Sequence, residues 1–155
     1  MDTPETRLRS LGLTLPPASK PAGLYKPALR VGQLLFVSGH VSVGVDGSRL
    51  TGRVGANLTL DQAQMAARAA GLAVLATVRQ ALGSLDHVTQ VVRLFGMVNA
   101  TPDFEQHALV VNGCSELFSE VFGDERGVGV RSSAGMSSLP GNAAVEVEAI
   151  FATSA

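Results

Sequence analysis

A few ionisable side chains stand in stretches that are otherwise apolar or small. Arg131 lies in Gly129-Val130-Arg131-Ser132-Ser133-Ala134, and Glu146 in Val145-Glu146-Val147-Glu148-Ala149. A guanidinium stays charged at physiological pH, and its planar fork matches a carboxylate through two parallel hydrogen bonds. Read from the residues alone, Arg131 either grips such an anion or serves a solvated strand face or a structural ion pair. Glu146 follows one strand later, across the Leu139-Pro140-Gly141-Asn142 turn, where it is expected within reach of Arg131 or of a bound water. Strand alternation gives Glu148 the same face, so alternation does not choose between the two carboxylates.

Other polar candidates are fewer. Tyr25, the single tyrosine, sits among prolines and either staples the N-terminal segment or presents its hydroxyl to a ligand. Asn112 precedes Gly113 inside a helical stretch, where both types are poor choices, which points to a close contact or a polar role. Cys114 is the only cysteine, so no internal disulfide can form, and its expected role is that of a small buried residue. His40, His87 and His107 are far apart in sequence and match no metal-ligand motif, so the sequence leaves a three-histidine site open but disfavoured. Gly127-Val128-Gly129 lacks the third glycine of a phosphate loop and precedes a strand. No nucleophile elbow supports a serine triad.

Composition narrows the classes further. The 155 residues suit one domain, residues 1–155, with an irregular N-terminal segment over 1–30 wrapping the core. Hydrophobic residues make up 46% and charged residues 16%, so part of the apolar surface is expected between subunits. Net charge is −1, with no basic run and 5% aromatics, which argues against a nucleic-acid partner. The acidic, polar start Met1-Asp2-Thr3-Pro4-Glu5 does not resemble a signal peptide, no stretch is long and apolar enough to span a bilayer, and the cytoplasm is the expected compartment.

The elements that must position these residues can be read from periodicity and caps. A short helix is expected over Glu5–Leu11, a strand over Gln33–Ser38 closed by Gly39, and a second strand from His40 to Val43. Asp46-Gly47 marks a hairpin turn. Thr59 and Gln62 form a capping box ahead of Ala63, Ala66, Ala67, Ala70, Val74 and Val78, and Gly83 stops that helix. A strand runs over Val88–Val98. A second long helix is expected to open with Thr101 as N-cap and Pro102 at its first position, and to end at Gly123. Strands over Val128–Met136 and Ala143–Phe151 complete the order β-β-α-β-α-β-β. This predicts an α+β domain with one sheet and both long helices on one face, the other face being covered by a partner subunit.

In order and spacing, these pieces resemble the Rid family, also called YjgF-like proteins. The resemblance runs from about Tyr25 to Phe151. Its strongest segment is Arg131-Ser132-Ser133, Leu139-Pro140 and Val145-Glu146-Val147-Glu148-Ala149. Supporting pieces are Val37-Ser38-Gly39, Thr51-Gly52-Arg53-Val54, Gly83-Ser84-Leu85-Asp86-His87-Val88, and Asn112 before Phe118. The departures are His40-Val41-Ser42 after Gly39, Ser133 where many members carry cysteine, a longer N-terminus, and extra residues around Gly123–Gly129. These match a longer subgroup labelled endoribonuclease-like or chorismate-mutase-like.

The resemblance implies a chorismate-mutase-like fold, a single mixed sheet assembled as a homotrimer with clefts between subunits. It implies that Arg131 holds the carboxylate of a reactive imine or enamine such as 2-aminoacrylate and that Glu146 positions water. Tyr25, Ser38, Asn112 and Ser133 would line or support the cleft. Deamination of this kind requires no metal or organic cofactor. Two other functions remain open: a non-catalytic trimer binding small carboxylates, and an endoribonuclease acting on single-stranded RNA. A pericyclic reaction of a dianion would want more cations than Arg131 and Arg93.

Overall fold

The computed structural model describes residues 2–155. In chain order the elements are α1 (Pro4–Ser10), β1 (Ala28–Val31), β2 (Leu34–Val41), α2 (Leu60–Leu82), β3 (Val88–Asn99), α3 (His107–Phe122), α4 (Asp124–Gly127), β4 (Val130–Met136) and β5 (Val145–Thr153). The strands form one sheet in the order β1-β2-β5-β3-β4. Neighbours are antiparallel except β3 and β4, which run parallel because α3 carries the chain back along the sheet. The expected single mixed sheet is present.

Both long helices lie on one face. Thr59 Oγ1 accepts from the Gln62 N–H, Gln62 Oε1 accepts from the Thr59 N–H, and Gly83 ends α2 in the left-handed region at φ 81°. The alanine stripe of α2 is fully buried, so the helix packs close to the sheet. α3 packs as closely on α2: a Cβ at Gly113 would collide with the Gln64 carbonyl oxygen. Phe118, Phe122 and Phe151 close the core with ring centroids 5.6–6.3 Å apart.

Several expected elements are differently placed. The first two strands are not separated at Gly39. β2 continues through it with a register shift between Val37 and His40, a bulge. β1 lies inside the segment expected to be irregular up to residue 30; it forms because Ala28–Val31 pair with Val37–Leu34 across the tight turn at Gly32. α3 begins at His107, not Pro102. Thr101 is held by its N–H to the Val54 carbonyl, its own carbonyl accepts from the Phe104 N–H to close a turn, and its hydroxyl is engaged by the Asp103 carboxylate instead of capping a helix. The Leu139–Asn142 turn does not join neighbouring strands, because β3 lies between β4 and β5.

The face away from the helices is uncovered in the single chain. Along β5, Val145, Val147, Ala149, Phe151 and Thr153 are buried toward the helices, while Glu146, Glu148 and Ile150 point to the open face. Apolar side chains dominate that face: Phe36 is 40% exposed, Leu29 47% and Val31 58%.

Candidate functional site

Arg131 occupies the edge strand β4, in register with buried Leu94 of β3. Residues facing each other across a ladder share a face, so Arg131 points to the helix side. Its Nη1 donates to Ser115 Oγ at 2.9 Å and its Nη2 to the Ala108 carbonyl at 3.3 Å, both on α3. Two of its five N–H groups are thus used, and the side chain is held yet still exposed. With Asn112 and Ser115 it lines a hollow of about 260 Å³ between α3 and β4. Ser133 follows on the same face, in register with Gly96.

Glu146 lies on the other side of the sheet. Its register partners are Met97 on β3 and Val41 on β2. Leu94 and Met97 are three residues apart, an odd step, so Arg131 and Glu146 face opposite ways. The expectation that they meet across the turn fails within one chain. Glu146 is half-buried against Gly39, where any Cβ would strike its Oε1. Burial, and secondarily the charge of Glu148, hold its carboxyl above the ordinary value. It is therefore readier than a free glutamate to carry a proton near neutrality.

Tyr25 and Ser38 join the open face. They line a hollow of about 390 Å³ with Lys26, Arg93, Phe95 and Glu148. Ser38 Oγ donates to the Lys26 carbonyl at 2.6 Å, and the Tyr25 hydroxyl accepts from the Ala22 N–H at 3.3 Å. The bulge that turns Ser38 outward is fixed from behind by His40. Nδ1 of His40 lies 2.6 Å from the Ser38 carbonyl and must donate to it. Nε2 therefore accepts from the Thr77 hydroxyl at 2.7 Å in the neutral ring.

The structure thus sorts the sequence candidates into two surfaces: Arg131, Asn112 and Ser133 at the helix-side edge, and Tyr25, Ser38, Glu146 and Glu148 on or beside the open face. Cys114 belongs to neither. It is fully buried, and burial pushes its thiol far above the ordinary value. The three histidines are dispersed, with His87 near Ser154 and His107 edge-on to Phe104. Among the described residues no group of three His, Cys, Asp or Glu could hold a metal ion, and no helix is long and apolar enough to cross a membrane. Sequence reasoning missed Ser115, although its i+3 spacing from Asn112 puts both on one helix face. It also missed Lys26, exposed in a loop without a pattern.

A family model described as "YjgF/chorismate mutase-like, putative endoribonuclease" matches residues 5–152. The chain belongs to this family. Among curated proteins it is 43% identical over 143 residues to Protein TCP17 of Trypanosoma cruzi, covering 92% of this chain and 89% of that protein. Among solved structures it is similar to Atu1372 of Agrobacterium tumefaciens, a protein of unknown function, at 39% identity and TM-score 0.88, covering 99% and 95% of the two chains. A protein from Shewanella oneidensis described as a putative endoribonuclease gives 32% identity and TM-score 0.92, covering 97% and 99%. The more distant RidA of an Antarctic Psychrobacter species, at 21% identity and TM-score 0.59 over 87% and 93%, shares the fold. α1 docks back through Glu5, which accepts from Arg79 at 2.7 Å and from the Leu85 N–H at 3.0 Å.

Proposed function

We propose that this YjgF-like chain hydrolyses small reactive imines or enamines bearing a carboxylate, such as 2-aminoacrylate, to the keto acid and ammonia, in clefts between subunits of a homotrimer. The observation that carries the reading is the division of the candidate groups. Arg131, fixed by α3, sits on one surface and the proton-ready Glu146 on the other, and neither surface alone has both of these groups. Bringing the helix-side edge of one copy against the open face of the next unites them. Because the two patches differ, such a contact is head-to-tail, and with a threefold rotation it closes as a ring. The apolar open face supports the same arrangement, since a second copy would cover it.

In that cleft Arg131 orients the substrate carboxylate with the three N–H groups that α3 leaves free. Glu146 takes a proton from water as the oxygen attacks the imine carbon. It returns that proton to the nitrogen and takes the hydroxyl proton of the carbinolamine as this collapses to the keto acid, the C–N bond breaks and ammonia leaves. Burial suits Glu146 to both directions of transfer. Imines already hydrolyse in water, so positioning and one proton relay are sufficient, and no cofactor enters the scheme.

The test is ammonia release from freshly generated 2-aminoacrylate. The native protein is expected to accelerate it, and Arg131→Ala to bring it down to the uncatalysed rate. Equal rates with the native protein, the variant and buffer would remove the deaminase reading. Retained binding of small carboxylates would then favour the non-catalytic trimer. Cleavage of single-stranded RNA, lost in the same variant, would favour an endoribonuclease, against which the charge of −1 already weighs.

A further inference from the structure

Binding a monocarboxylate requires one cation, and Arg131 supplies it. The open-face hollow holds two more, Arg93 and Lys26. Arg93 stands on β3 in register with Ile150, half-buried, and its guanidinium carbon lies 5.8 Å from the Phe95 ring centroid. Among the described residues no carboxylate lies within ion-pairing distance of it. A half-buried guanidinium over an aromatic ring is drawn to the ring's face, and without a carboxylate partner its N–H groups can serve an anion. Leaning over Phe95 carries it along the strand toward Glu146. Phe95 is opposite Glu148 and Met97 opposite Glu146, so the guanidinium lies one two-residue step, roughly 7 Å, from the register of Glu146. A cation gripping the distal carboxylate of a short dicarboxylic imine lies about that far from the imine carbon that Glu146 serves. Phe36 and Ile150 in the same hollow are available to a short carbon chain, and the one carboxylate in its lining, Glu148, stands opposite Phe95, outweighed there by the two cations Arg93 and Lys26.

We propose that Arg93, with Lys26 at the rim, forms a second anion subsite, and that the substrates of this chain are imines or enamines with two carboxylates. Arg131 binds the carboxylate next to the imine carbon and Arg93 binds the distal one. This rests on the deaminase reading and deepens it. Arg93 is a specificity-determining residue here, not a proton carrier.

The experiment generates imines in place with a flavin amino-acid oxidase and oxygen, from glutamate or from alanine, and follows ammonia release with the full-length chain. The native protein is expected to have a kcat/KM at least about tenfold higher for the glutamate imine. Arg93→Ala removes that preference through KM and leaves the alanine imine rate and the oligomeric state unchanged. Arg93→Lys restores part of it, whereas Arg131→Ala loses both substrates. Equal loss on both imines, no loss on either, or dissociation of the assembly in Arg93→Ala would overturn the proposal. The last would make Arg93 a subunit contact. Titration with 2-oxoglutarate and with pyruvate separates the two readings. If neither imine is turned over but 2-oxoglutarate binds more tightly in an Arg93-dependent way, the deaminase reading falls and the subsite stands. If the native protein binds the two acids equally, the subsite falls.

Discussion

At the scale of single residues, the half-buried Glu146 links activity to stability. Its carboxyl is held above the ordinary value of 4.5 in the folded chain, so the folded state binds that proton more tightly than the unfolded state. The group favours folding at low pH, and that contribution is lost as pH rises through the folded-state value. Glu146→Gln is therefore expected to raise Tm at pH 7 by about a degree or two, a small gain because the group is partly solvated. The gain should vanish below pH 4.5, while turnover at pH 7 falls by about a hundredfold or more. Calorimetry at both pH values, with the ammonia assay, checks this; a lower Tm at pH 7 would show that Glu146 is anchored by a favourable charge partner. Arg131 and Glu146 were legible in the sequence because each is a charge in an apolar strand. Their placement on opposite faces was not, because it depends on β3 intervening between their strands.

At the scale of elements, the bulge between Val37 and His40 presents Ser38 and leaves the Gly39 notch for Glu146. Its support is His40, buried and wedged between the Ser38 carbonyl and Thr77. Burial lowers its basicity below the ordinary 6.5. The neutral ring thus contributes stability that is present above pH 6.5 and lost as pH falls through the folded-state value. His40→Leu orphans both partners and is expected to cost about 2 kcal/mol in urea unfolding at pH 7. His40→Gln, which can donate and accept at once, should retain most of that stability and lose the acid sensitivity. Unchanged acid sensitivity in His40→Gln would assign it to another group. The capping box and alanine stripe made α2 readable from sequence, as did the strict alternation of β5. β1 was hidden by the surrounding prolines, and the start of α3 was misplaced because Thr101 and Pro102 carry a helix-opening signature that is used in a turn.

At the scale of the whole molecule, the uncovered apolar face and the two-surface division of the candidate groups both call for further copies of the chain. The composition pointed the same way, with 46% hydrophobic against 16% charged residues. Sedimentation is expected to give a species of three times the 16.0 kDa chain mass. Val31→Glu, which sets a charge on the open face away from the proposed reacting groups, should shift it toward monomer and remove turnover with it; a fully active monomer would refute the shared cleft. The most direct measurement mixes two inactive proteins. Arg131→Ala retains Glu146, and Glu146→Gln retains Arg131, so unfolding and refolding them together in equal amounts makes rings in which some interfaces receive both intact groups. For random cyclic trimers this restores about a quarter of the native sites. Recovery of ammonia release near that fraction is the predicted result. No recovery, with both variants folded and shown to co-assemble, would contradict a site built from Arg131 of one subunit and Glu146 of the next.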